Sequence, residues 1–195
     1  MGSDLGTDSD ADLLRRIGEG DALAVATLYD RHAGMLLGLS LRIVRDRPEA
    51  EDVVHDAFVM VGERARQYVP ERGAVGAWLV TLVRNLSIDR TRRRDRRGAI
   101  ARNVLAHDPE ALASSRPLDP ETQLAGAGER HRVRRALALL PEVQRTTLEI
   151  AFYEGLTYAE IAERENVPLG TIKSRAARAL TALREALAAE RETSG

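Results

Sequence analysis

Across residues 12–98 and again across 130–188, apolar side chains recur at helical spacing, and nowhere do they alternate one by one. A chain written this way buries its apolar atoms on helix stripes, whereas a half-buried sheet needs period two. The fold class that follows is all-α. Aromatics make up only 4% of the residues, while Ala, Leu and Arg are abundant, which favours helices further. Between the two blocks, residues 103–129 lose the periodicity. Pro109, Pro117 and Pro120 interrupt it, and Asp108, Glu110, Asp119, Glu121 and Glu129 outweigh Arg116. This reads as a flexible acidic linker, longer than a compact domain usually contains. The expected architecture is therefore two small helical domains joined by a linker, preceded by a tail (MGSDLGTDSD) of disordered composition.

In the first block, a helix near 21–44 carries Leu28, Leu36, Leu39 and Ile43. The next starts at Asp46-Arg47-Pro48-Glu49, where Asp46 can cap, Pro48 suits the first turn and Glu49 has capping-box spacing. Ala50, Val53, Val54, Ala57, Phe58 and Val61 form its apolar face. Glu49, Glu51, Asp52, Asp56 and Glu63 make its other side acidic, a side suited to protein or solvent rather than nucleic acid. Tyr68–Gly73 is a loop by its Pro and Gly content. A third helix follows, with Val75, Trp78, Leu79, Leu82, Val83 and Leu86 as its core stripe.

The second block holds the sharper pattern. Thr157-Tyr158-Ala159-Glu160 fits a capping box, so a helix should start at Tyr158. Asn166-Val167 makes a bend, and Pro168 stands where a new helix can begin. On that helix, Leu169, Ile172, Ala176, Leu180, Leu183 and Leu187 fall on one face. Thr171, Ser174, Ala177 and Arg178 fall opposite, with Lys173 and Arg175 at the boundaries. Two helices around a tight bend, the second small and basic on its outer face, form a helix-turn-helix suited to a DNA major groove.

The net charge of −1 hides an asymmetry. Residues 1–30 carry net −5, and residues 84–102 carry net +6, with eight arginines against Asp89 and Asp95. Trp78, Asn85 and Arg92 are spaced by seven and so lie near one line of their helix. An amide beside arginines can read a base edge while the arginines hold phosphates. The chain has no cysteine, and its four histidines lack metal-ligand spacing, so neither a disulfide nor a metal site is expected. No triad or phosphate loop suggests an enzyme, a small-molecule substrate or a cofactor. No apolar run reaches membrane-span length and the acidic start is no signal peptide, so a cytoplasmic protein is expected.

The stretches LYDRHAGMLLGLSLRIVRD, AEDVVHDAFVMV, GAVGAWLVTLVRNLSIDRTRR and LPEVQRTTLEIAFYEGLTYAEIAERENVPLGTIKSRAARAL, in this order, resemble conserved regions two and four of the extracytoplasmic-function (ECF) sigma factors. These are small members of the sigma-70 family of bacterial transcription initiation factors. The resemblance divides the chain into an acidic, partly disordered N-terminus (1–20), region 2 (21–98), a linker (99–129), region 4 (130–188) and a tail (189–195). It implies that Asp52, His55 and Asp56 dock on the clamp of the largest subunit of core RNA polymerase. Trp78, Asn85, Asp89, Arg92 and Arg93 would meet the single-stranded −10 element, with one base flipped into a pocket near Trp78 and the Tyr68–Gly73 loop. Lys173, Ser174 and Arg178 would contact the duplex −35 element, with Thr171 and Arg175 on phosphate. It further implies an anti-sigma factor, often one held at the membrane, that masks these faces.

Three positions depart from the family pattern: Gly62 where Trp is common, His55 where Gln is frequent, and the small Ala177 at a contact position. Two other readings compete. An autonomous helix-turn-helix regulator would leave the acidic helix and the linker without a role. A helical scaffold that binds no DNA would leave the arginine block and the basic helix without one.

Overall fold

The computed structural model describes residues 8–104 and 127–192, the side chains of residues 72, 98–104, 127–131 and 190–192 excepted. Every regular element among the described residues is helical. They fall into two packed units, one on each side of the stretch 105–126.

The first unit is built around helix α2 (Ala22–Val44), against which α1 (Asp10–Gly18), α3 (Arg47–Arg64) and α4 (Val75–Val104) all pack. Residues 8–20 were expected to belong to a partly disordered N-terminus, yet they include α1. Ser9 and Asp12 close a capping box at its start, and Leu13, Leu14 and Ile17 are buried in the core. Each such burial stabilises by roughly 1.5–3 kcal/mol, which outweighs the acidic composition that suggested disorder. Charge adds a second anchor. Arg16 reaches Asp21 at 2.5 Å, and Arg66 Nε donates to the Gly18 carbonyl at 2.6 Å. Residues 1–7 lie outside the described part of the chain.

Asp46 caps α3 as expected, accepting from the Glu49 amide at 2.9 Å, with Pro48 in the first turn. The reciprocal half of the box is not made. Glu49 instead turns toward Arg94 of α4, whose Nη1 lies 3.5 Å from Glu49 Oε2. Two short 3₁₀ turns, Ala65–Gln67 and Pro70–Arg72, make the loop that leads to α4. That loop closes at Gly73, whose φ of 133° a Cβ-bearing residue would resist. In the middle of the bundle, Ser87 Oγ on α4 donates to the Val83 carbonyl at 2.8 Å and lies 3.0 Å from Ser40 Oγ on α2. Both hydroxyls are fully buried. With the Ser87 proton given to Val83, the proton between the two hydroxyls comes from Ser40.

Helix α4 stays helical to Val104, past the residue-99 start expected for the linker; residues 105–126 of that linker lie outside the described part. The second unit contains α5 (Ala127–Ala138), α6 (Glu142–Glu149), a π turn (Ile150–Glu154), α7 (Tyr158–Glu165) and α8 (Leu169–Glu192). Helix α8 therefore extends beyond residue 188, into the expected tail. Ile150, Ile161, Ala162 and Ile172 form a compact core, supported by Leu156, Tyr158 and Val167. On α8 the buried line runs through Ile172, Ala176 and Ala179, while Leu180 is 46% and Leu169 39% exposed. The expected stripe placed Leu169 and Leu180 in the core. Ile172 and Ala176 are buried as expected, while Ala179, not Leu180, continues the buried line. No described helix is long and apolar enough to cross a membrane.

Candidate nucleic-acid interface

Both halves of the expected capping box form at the start of α7: the Glu160 amide donates to Thr157 Oγ1 at 3.2 Å, and the Thr157 amide to Glu160 Oε2 at 2.6 Å. The helix ends at Asn166, held left-handed at φ 53°, a conformation Asn tolerates better than most residues. The Val167 amide returns to the Ala162 carbonyl at 3.0 Å, and Pro168 offers its carbonyl to Thr171 at 2.8 Å, so α8 starts at once. This is a two-helix unit with a short bend and a shared apolar core.

With Ile172, Ala176 and Ala179 facing inward, the outer face of α8 is centred on Ser174, Ala177 and Arg178, flanked by Thr171 and Lys173. Arg178 Nη2 donates to Ser174 Oγ at 3.1 Å, which lays the guanidinium along the helix surface. Arg175 differs from the other expected −35 residues. It is rotated toward the packed side, and its Nη1 reaches Glu165 Oε2 at 2.8 Å, with both side chains about three-quarters buried. The pair ties α8 to the end of α7. Arg164, one residue before Glu165, pairs with Glu154, so the two-helix unit is braced before and after its bend.

In the first unit, α4 presents a second outward face. Leu79, Val83 and Ser87 are buried, which leaves Trp78 at the edge of the core and Asn85, Asp89, Arg92 and Arg93 exposed. Trp78, Asn85 and Arg92 do share one line, about 21 Å long at 1.5 Å per residue. Arg84 Nη1 donates to Asn85 Oδ1 at 3.1 Å, which orients that amide. Burial, and then the nearby Arg92 charge, lower the Arg84 pKa. An anion between these guanidinium groups would relieve their repulsion.

The arginine block is split by helix geometry. Arg90 and Arg94 lie on the same side of α4 as Leu79, Val83 and Ser87. Arg90 pairs with Asp52 of α3 at 2.8 Å, and Arg94 donates to the Val44 carbonyl at 3.1 Å. Arg92, Arg93, Arg96 and Arg97 stay exposed on the other sides. So the acidic and basic segments, which looked like separate surfaces in the sequence, are partly bonded to each other. Asp52, His55 and Asp56 are all exposed on one stripe of α3, and Val59, 53% exposed, continues it one turn on. Val59 was not among the expected site residues, because a single apolar residue on an acidic stripe carries no signal of its own.

Beside α4 lies a cavity of about 200 Å³, lined by Gln67, Tyr68, Val69, Gly73, Ala74, Ala77, Trp78 and Thr81. The Tyr68 and Trp78 rings meet edge to face with centroids 6.0 Å apart, and Tyr68 Oη donates to the Gly73 carbonyl at 2.8 Å. The aromatic pair gives the loop a rigid wall. Ala77, Trp78, Thr81 and Asn85 sit on one face of α4, just after Ala74, so the cavity and the Asn85 amide are one turn apart. Gln67 and Thr81 were not expected as site residues; polar residues on a loop and a helix surface carry no signal until the cavity brings them together.

Residues 28–97 match the family model for Sigma-70 region 2, and residues 130–183 match that for Sigma-70, region 4. The ECF RNA polymerase sigma factor SigK of Mycobacterium tuberculosis (strain ATCC 25177 / H37Ra) is 37% identical over 191 residues, 94% of this chain and 95% of that protein. The chain belongs to the ECF sigma factors. The SigK of Mycolicibacterium vanbaalenii is 36% identical over 184 residues, covering 90% of this ECF sigma factor and 87% of its own length. Among solved structures, Rhodobacter sphaeroides SigE in complex with the anti-sigma ChrR is 29% identical, with a TM-score of 0.45 over 94% of this chain and 99% of that one. CnrH in complex with the cytosolic domain of CnrY is 21% identical, with a TM-score of 0.42 over 93% and 99%. As a sigma factor the protein is a specificity subunit for RNA polymerase in transcription initiation, and the family acts there as initiation factors, not as enzymes.

Proposed function

We propose that this ECF sigma factor divides promoter recognition among three of its faces. The α3 stripe of Asp52, His55 and Asp56, extended by Val59, docks on the clamp of core RNA polymerase. The α4 face of Trp78, Asn85, Asp89, Arg92 and Arg93 holds the single-stranded −10 element, with one base in the cavity beside Trp78. The outer face of α8 reads the −35 duplex through Lys173, Ser174 and Arg178, with Thr171 on phosphate. Arg175 acts indirectly: its bond to Glu165 sets the angle of α8. Binding energy for the unpaired strand offsets the cost of melting, so promoter opening needs no catalytic residue.

The observation that carries this reading is the continuity of the cavity, the Asn85 amide and the outward arginines on one helix face. A single strand needs a pocket, an edge-reading group and cationic tracking in that arrangement. Family membership implies control by an anti-sigma factor, and the three exposed faces are what such a partner would cover. The test is binding of fork-junction promoter DNA to holoenzyme that carries Trp78→Ala or Asn85→Ala. Both variants should lose affinity for the single-stranded −10 segment while core binding stays as in wild type. Unchanged affinity would remove α4 from −10 recognition.

A further inference from the structure

Helix α1 lies before residue 28, where the match to region 2 starts, and none of the three proposed faces draws a residue from it. Each of its ends nonetheless reaches one wall of the cavity beside Trp78. Gly18 is the last residue of the helix, at the end where carbonyls lack a helical partner. Its oxygen accepts from Arg66 Nε at 2.6 Å, and Arg66 leads directly into Gln67 and Tyr68 of the loop wall. A Cβ at Gly18 would come within 3.1 Å of Arg66 Cγ, so the arginine stem lies close on the helix end. At the opposite end, Asp10 Oδ2 lies 2.6 Å from His32 Nε2, and Asp10 Oδ1 accepts from Arg31 at 3.0 Å. The His32 side chain is only 15% exposed. It stands beside the first turn of α4, where a Cβ at Gly76 would lie 3.7 Å from its Cε1. Gly76 is two residues before Trp78 of the helix wall.

We propose that α1 is a strut for the −10 cavity, and that Arg66 and Asp10 are positioning residues that hold its loop wall and its helix wall in register. The inference rests on the reading of the cavity as a base site. The loop wall contains only short 3₁₀ turns, so it has no long helical ladder to fix it. A loop that must be ordered when the strand arrives subtracts that cost from binding, whereas a loop already held does not. A binding site also needs its groups within about 0.5 Å of the productive geometry. The Arg66 bond ties the loop to α1, and α1 is itself fixed by the burial of Leu13, Leu14 and Ile17. The Asp10–His32 contact fixes the same helix beside the start of α4. Neither Arg66 nor Asp10 touches the DNA in this arrangement; both act through the cavity.

The experiment uses holoenzyme and fork-junction DNA with a single-stranded −10 non-template segment. Arg66→Met keeps the stem and removes the guanidinium, and Asp10→Ala removes the carboxylate at the far end of α1. Each should lose about three- to tenfold in affinity for the fork junction, the scale of one hydrogen bond. Core binding should stay as in wild type. Asp10→Ala gives a sign that charge alone would not, because loss of a negative group by itself would strengthen DNA binding. Both losses should vanish in a Trp78→Ala background, where there is no intact cavity left to position. A loss from Arg66→Met that persists undiminished in that background would make Arg66 a direct phosphate contact and overturn the strut. Wild-type affinity in both variants would overturn it too, with the base site left standing by the loss in Trp78→Ala alone. If Trp78→Ala alone costs nothing, the base site falls and the strut with it. Arg66 is exposed, so Arg66→Met carries the test if a thermal scan shows that Asp10→Ala frees α1 altogether.

Discussion

Arg90 Nη2 lies 2.8 Å from Asp52 Oδ2, so the helix proposed to dock on polymerase and the helix proposed to hold the −10 strand share an ion pair. Asp52 is 64% exposed, which limits the pair's contribution to folding to about 1 kcal/mol or less. Asp52→Ala should therefore leave the thermal midpoint within a few degrees of wild type while weakening core polymerase binding. Arg90→Ala should also leave stability nearly unchanged. Thermal scans and a core-binding titration on both variants separate these effects. A large drop in midpoint for Asp52→Ala would make the residue a structural brace instead.

The arrangement of Arg175 and Arg178 predicts opposite phenotypes for two arginines three residues apart. Arg178→Ala should cost about 1–3 kcal/mol on the cognate −35 site and relax base preference there. Arg175→Ala leaves Glu165 without its partner, so it should destabilise the second unit and weaken all −35 sequences alike. Competition binding against a −35 variant series, with a thermal scan of each variant, distinguishes them. A sequence-selective loss from Arg175→Ala would contradict the bracing role.

Much of this was legible before any coordinates. The capping box Thr157–Glu160, the Asn166 bend and the outer face of α8 follow from local rules that tertiary packing did not override. The Trp78–Asn85–Arg92 line follows from the helical period alone. What could not be read were pairings across the bundle. Nothing in the run from Arg84 to Arg97 says that Arg90 and Arg94 turn toward α3 and α2, because that depends on which side of α4 is buried. Glu49 looked like a capping residue for the same reason. Helical spacing was legible from residue 12, but the docking of α1 on the bundle through Leu13, Leu14 and Ile17 was not. The cavity was partly legible as a pocket near Trp78, but its lining by Gln67 and Thr81 needed the loop and α4 brought together.

The buried Ser40–Ser87 pair predicts a non-additive mutant cycle. Ser87→Ala removes one hydroxyl and leaves Ser40 buried without its partner, at a cost of about 1–3 kcal/mol. The double variant Ser40→Ala with Ser87→Ala should recover part of that loss, because no buried hydroxyl is left unsatisfied. Denaturant unfolding of the two single variants and the double variant measures the coupling. Strict additivity would mean that the two hydroxyls do not depend on each other.

The docking of α1 has a defined acid limit. The hydrogen bond from Arg16 holds the Asp21 carboxyl below its ordinary value of 3.8, and the bond from Ser9 does the same for Asp12. A folded-state pKa below the unfolded one gives stability that is complete above the unfolded value and fades as pH falls through the folded one. NMR signals of Leu13 and Leu14 should hold from neutral pH down to about 5 and shift only below 3.8. In Asp21→Asn the contact is weaker at neutral pH, and the difference from wild type disappears as Asp21 becomes protonated in acid. A transition near neutrality in wild type would contradict this anchor.

The central claim is that the three faces work together only on core polymerase. The most direct measurement is fluorescence anisotropy of labelled promoter DNA, selected from genomic fragments, with the full chain alone and with core RNA polymerase at one fixed salt concentration. The account predicts tight, sequence-selective binding only when core is present, lost on Trp78→Ala and reduced on Arg178→Ala. Equally tight selective binding by the protein alone, unchanged by core, would contradict it.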